Sequence, residues 1–138
     1  MPEQKLNLEL INYFNYAESI VVYKDNKSEE YNKDSHQFDL LLESFLNTCE
    51  GAHEMPAFGV SLHNETMLAR TNGTWIEFKF NKTLSHNEMP FSRLLIEVNG
   101  EYSGFNIIRY YDNEYNGRCF YLSLNNNMQN LYNTIMKI

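Results

Sequence analysis

Two short pieces of this chain echo one another, His53-Glu54-Met55-Pro56 and His86-Asn87-Glu88-Met89-Pro90. Imidazole and carboxyl groups side by side are what general acid–base chemistry needs, and two such pairs brought together could hold a divalent cation. Each piece stands just ahead of a predicted strand. If those strands were parallel neighbours, both pairs would share one end of a sheet, and His63 would sit at the far end of its own strand. The spacing, however, matches no zinc signature, since neither CxxC nor HExxH is present. Solvated loop residues are the simpler account. His53, Glu54, His86 and Glu88 therefore define an alternative reading only, a small metal-dependent or His/Glu acid–base enzyme. The sequence implies no cofactor and assigns no metal ligand or catalytic residue.

Cys49 with His53 four residues on could be a nucleophile and its base. Cys49 nevertheless falls on the apolar stripe of a predicted helix, where a buried inert thiol is expected. Cys119 lies mid-strand, which also suits packing. There is no GxGxxG, no P-loop and no GxSxG elbow, so neither nucleotide binding nor hydrolase chemistry has a motif to rest on.

The formal net charge of −7 argues against a nucleic-acid partner, because phosphate binding is carried by clustered Lys and Arg. No segment approaches the roughly 20 apolar residues of a membrane span. The first residues, MPEQKLNLELINYF, have neither the basic start nor the apolar run of a signal peptide. With only two cysteines, the expectation is a cytoplasmic protein with reduced thiols. At 138 residues, 43% of them hydrophobic, the chain suits a single domain with one core.

The elements that must position any site centre on residues 74–124. TWIEFKF, FSRLLIEV, EYSGFNIIRYY and GRCFYLSL alternate apolar and polar residues with the period of two of a half-buried strand. They read as an antiparallel meander. Asn99-Gly100 is the predicted hairpin turn between the second and third, both residues at positive φ, so that Gly100→Val should be strongly destabilising. Asn113 to Asn116 is the predicted loop before the fourth. In that register Leu94 faces Phe105 and Ile108 faces Tyr121. One face, the core face, then carries Ile76, Phe78, Phe80, Leu94, Ile96 and Val98, with Phe105, Ile107, Phe120, Leu122 and Leu124 from the later strands. The outer face carries Trp75, Glu77, Lys79, Phe91, Arg93, Leu95, Glu97, Tyr102, Ile108, Tyr110, Cys119 and Tyr121.

A face meant only for water would be polar throughout. Amphipathic aromatics with arginine are instead what interfaces favour. The leading expectation is therefore a non-enzymatic binding module that uses this face, or a sheet edge, to engage a protein partner or its own copy. Its candidate binding residues are Trp75, Arg93, Glu97, Tyr102, Tyr110 and Tyr121. The competing account is that the N-terminal elements cover the outer face as a second core layer. Arg109 and Arg118 point to the core side in this register. A buried Arg109 needs a carboxylate, with Asp112, Glu114 and Glu101 as candidates, or several carbonyls.

Elsewhere, Leu6, Leu10, Tyr13 and Ala17 predict a helix over residues 4 to 16. Ser19 to Tyr23 reads as a strand. Ser28 to Asn32 is either its hairpin partner or a charged loop. Asp34 with Gln37 approximates a capping box for a helix over residues 35 to 49, ended near Gly51. Ala57 to His63 alternates as a strand. Residues 64 to 73 are either a short helix, which is preferred, or a hairpin. A last helix follows Asn126 or Asn127. The fold class is α+β, an antiparallel sheet of five to seven strands with two or three helices packed mainly on one face.

Overall fold

A computed structural model of the chain describes residues 4–5, 8–56 and 59–138. Leu6 of the predicted first helix, and Ala57 and Phe58 of the predicted strand, lie outside the described residues. In chain order the elements begin with β1 (Gln4–Lys5), a 3₁₀ helix (Leu10–Tyr16), β2 (Ser19–Lys24), β3 (Lys27–Asn32) and α1 (His36–Thr48). Next come β4 (His53–Met55), β5 (Val60–Ser61), α2 (His63–Ala69), β6 (Thr74–His86) and β7 (Met89–Glu97). The chain ends with β8 (Gly104–Tyr111), β9 (Glu114–Tyr115), β10 (Gly117–Arg118), β11 (Phe120–Ser123) and α3 (Gln129–Lys137). The main sheet has the order β3-β2-β6-β7-β8-β11-β4, with β1 parallel to β6 and β9 hydrogen-bonded to β8. The meander is its centre. The fold is α+β, with the 3₁₀ helix, α1 and α3 contributing to the core beneath one face.

That core contains every residue assigned above to the core face, each no more than 8% exposed. Phe14, Phe45 and Phe78 meet at ring-centroid distances of 4.5 to 4.8 Å at its middle. With the exception of Phe91, the faces survive even though the predicted registers do not. Leu94 opposes Arg109 rather than Phe105, and Tyr121 opposes Asn106 rather than Ile108. The first register is off by four residues and the second by two. An even displacement leaves each side chain on its own face, whereas a slip of one would have inverted them all.

The reason for the shift lies in the turns. The tight turns with both residues at positive φ are Asp25-Asn26, Asn87-Glu88 and Asp112-Asn113. Asn99-Gly100 is not among them. The Asn99 side chain instead accepts from the Glu101 N–H at 3.0 Å, and the Asn99 carbonyl accepts from the Tyr102 N–H at 3.0 Å, which opens a wider loop. Gly100 is there for space, because a Cβ would run into the Gln129 side chain. The expected strain of a β-branched residue at Gly100 is thereby withdrawn.

Other expectations shift for local reasons. The first helix is a 3₁₀ helix starting at Leu10, and the residues before it include strand β1. Ser35, not Asp34, caps α1, its hydroxyl accepting from the Phe38 N–H at 3.1 Å. The Ala57–His63 strand reduces to β5, and His63 opens α2 instead of ending a strand. Of the two readings of Ser28 to Asn32, the hairpin partner is the one found. Phe91 belongs to the main core, not the outer face. The register of β6 against β7 shifts between Lys79 and Leu84, and Phe91 packs edge-on to Phe120 and Phe80. Arg109 is buried and is satisfied by carbonyls, donating to Arg118 O at 2.7 Å and Pro90 O at 2.8 Å. Its predicted partners Asp112, Glu114 and Glu101 do not take part in these bonds, and Arg118 is exposed.

Candidate functional site

The outer face divides into a buried half and a hollow half. The buried half forms around Glu77, which is fully buried on the central strand β6. Tyr23 Oη donates to Glu77 Oε1 at 2.7 Å, and Tyr115 Oη donates to Glu77 Oε2. Arg93 Nη1 stands 4.0 Å from the same carboxyl group, and the guanidinium carbon lies 4.4 Å from the centroid of the Tyr110 ring. Arg70 donates to Tyr115 Oη at 2.7 Å and covers the Tyr23 ring at 4.3 Å. Burial first, and the charge of Glu77 second, push the Tyr23 and Tyr115 phenols well above the usual range, so both remain donors.

Tyr115 reaches this position through the Asp112-Asn113 turn. The turn folds β9 back on β8 so that Tyr115 opposes Tyr110, and residues directly opposite share a face. Helix α2 lies over it. The Tyr115 N–H donates to His63 Nδ1 at 3.0 Å, and the His63 ring stacks on the tyrosine. Trp75, Leu95 and Tyr115 thus make a small second core, with Trp75 only 6% exposed. Trp75 stands on the face opposite Ile76 and is covered, as in the account of the outer face as a second core layer, with Tyr115 of β9 and Tyr23 of β2 packed around it. The cover comes from mid-chain elements as much as from the N-terminal β2.

Beside this core the face is hollow. A cavity of about 380 Å³ is lined by Trp75, Glu97, Tyr102, Asn106, Ile108 and Tyr121. A second, of about 250 Å³, lies by β5 and α2 and shares Trp75, Asn106 and Ile108, so the two lie side by side and together form the trough's two halves. Gly104 makes the first possible, because a Cβ there would collide with the Tyr121 hydroxyl and the Leu122 carbonyl. Tyr102 is 38% exposed and donates to Glu97 Oε1 over a long 3.4 Å. The Glu97 charge, ahead of burial, raises the Tyr102 phenol pKa.

Four of the six candidate binding residues, Trp75, Glu97, Tyr102 and Tyr121, therefore line one hollow. Arg93 and Tyr110 lie aside, in the Glu77 cluster. Sequence reasoning missed Tyr23, Arg70 and Tyr115 in that cluster, and Asn106 and Glu65 in the trough. One signal was available. Asp and Asn both tolerate left-handed backbone, so Asp112-Asn113 could have been read as the tight turn that sets Tyr115 against Tyr110. Arg70 has no comparable signal.

The duplicated His/Glu pieces meet only in part. Strand β5, which follows the first piece, pairs with β10, and β7, which follows from the second, pairs antiparallel with β6 and β8, so the parallel neighbours expected of those two strands do not occur. Nonetheless His86 Nε2 lies 2.9 Å from Glu54 Oε1, and His86 Nδ1 is 3.4 Å from Tyr13 Oη. Glu88 occupies the β6–β7 turn and is exposed, and His53 is exposed on the edge strand. Among the described residues no three His, Cys, Asp or Glu side chains are grouped to hold a metal ion. Both thiols are buried, and burial pushes Cys49 up to about 12, which leaves it a protonated packing group.

Fold and site together define an α+β antiparallel-sheet protein with one helix-covered core face and one aromatic face bearing a trough. Comparison with protein-family models, with curated proteins and with solved structures finds no match to this chain. Among the described residues no helix is long and apolar enough to cross a membrane.

Proposed function

We propose that this protein is a non-enzymatic binding module that engages a protein partner through the trough on its outer sheet face. The observation that carries the reading is the trough's lining. Tyr102, Tyr121, Ile108 and the edge of Trp75 surround a hollow on the face that the main core does not use. Concave, largely apolar sites with a few polar groups are what ligands fill, and tyrosine gives contact area at low entropic cost. Two buried free thiols fit a reducing compartment, and the reading includes a cytoplasmic setting.

The test is comparative capture from native lysate by the wild-type chain and by Asn106→Trp, which fills the hollow. A partner held by the first and lost by the second supports the module. Tyr121→Ala should weaken that binding by about 1 to 3 kcal/mol, the range of aromatic hot spots. Sedimentation against concentration reports whether a second copy is the partner instead.

A second reading is favoured by one observation, the Glu54–His86 contact at 2.9 Å beside the Tyr13 hydroxyl. A histidine oriented by a carboxyl group is a general acid–base arrangement. Elemental analysis and a metal-dependent melting shift that Glu54→Gln abolishes would favour it.

A further inference from the structure

We infer that the trough takes a basic segment of a partner protein, with one Lys or Arg head group seated against the Glu97 carboxylate at the end lined by Tyr102 and Tyr121. The inference rests on the binding-module reading and names the chemistry of its occupant. The charge pattern carries it. The carboxylates lining the trough's two halves are Glu97 and Glu65, and among the described residues no Lys, Arg or His lines either half. Among the described residues neither carboxylate pairs with a cation, and the long bond from Tyr102 is the one hydrogen bond to Glu97. Glu77, on the same face, shows the contrast, with two tyrosine donors and a nearby arginine.

An apolar occupant would strip water from Glu97 and return nothing, and an acidic one would be repelled. A cation recovers the cost twice, from the carboxylate and from the aromatic faces, whose quadrupole attracts positive charge. The net charge of −7 draws such a partner from a distance, more strongly at low salt.

Trp75 is the chain's single tryptophan and lines both halves of the trough, so its fluorescence reports occupancy. The probes are an acetylated peptide of alternating arginine and glycine, and its citrulline counterpart, which keeps shape and loses charge. The expected result is saturable binding of the arginine peptide that weakens with salt. Replacing arginine by citrulline, or Glu97 by Gln, should weaken it about tenfold, in keeping with one cation–π and ion-pair contact. Equal binding of the two peptides, unchanged binding by Glu97→Gln, or no binding of the arginine peptide overturns the inference. The two readings then separate on a lysate partner. Capture lost with Asn106→Trp but kept with Glu97→Gln removes the cation and leaves the module. Capture untouched by both substitutions removes the module as well.

Discussion

Taking a carboxyl group such as that of Glu77 out of water costs several kcal/mol unless hydrogen bonds replace what the solvent supplied. Here the replacements are the Tyr23 and Tyr115 hydroxyls, with Arg93 at 4.0 Å. Glu77→Ala should therefore cost about 3 to 5 kcal/mol in a denaturant melt, because it leaves two phenols and a cation unmatched around a void. The same cluster makes an alkaline prediction. The folded Tyr23 and Tyr115 pKa values are raised, by burial first and by the Glu77 charge second. Below about pH 10 both states are protonated and the full stability is present. Above it the unfolded chain releases phenolic protons that the native state retains, so stability falls as pH rises towards the folded values. Melting midpoints followed from neutral pH into that range check the sign. Tyr115→Phe should flatten the fall.

At the scale of elements, the tight turns decide the registers. Asn87-Glu88 joins the longest pair of strands, and Glu88 holds φ +65 with a side chain that gains nothing there. Left-handed backbone costs a non-glycine residue about 1 to 2 kcal/mol, partly offset by the entropy glycine loses on folding. Glu88→Gly is accordingly expected to stabilise the protein by about 0.5 to 1 kcal/mol, read as a higher denaturant midpoint. At Gly100 the φ is not left-handed, so a substitution there meets the end of the flexible Gln129 side chain and carries no left-handed backbone strain.

For the molecule as a whole, the two faces do different work. The helix-covered face is the core, and the outer face is part second core, part trough. Trp75→Ala should lose about 3 to 5 kcal/mol of stability, as a buried aromatic does. It is for that reason a poor test of binding. Tyr121 is half-buried over Gly104, and Tyr121→Ala should cost about 1 kcal/mol or less while weakening the partner complex. Paired melts and binding measurements on these two variants separate the roles. A loss at Tyr121 as large as that at Trp75 would mean the hollow is also structural.

Strand alternation is a local property, so the sequence alone determined the meander and both of its faces, down to the opposition of Trp75 and Ile76. Two registers were misread, and the faces held, Phe91 beyond the β6–β7 register shift excepted, because each displacement was even. Helix α1 was legible for the same reason, since its apolar stripe repeats within a few turns. Four residues of the trough were legible as an amphipathic aromatic set. What lies above a face is not local. Whether Trp75 is open or covered depends on α2 and β9, which return from different parts of the chain, and on Arg70 and Tyr115, whose neighbours in sequence carry no trace of Glu77. The contact of Glu54 with His86 across 32 residues is of the same kind. Only tertiary structure decided these, because contacts between distant segments are set by the packing of whole elements and leave no period in the chain.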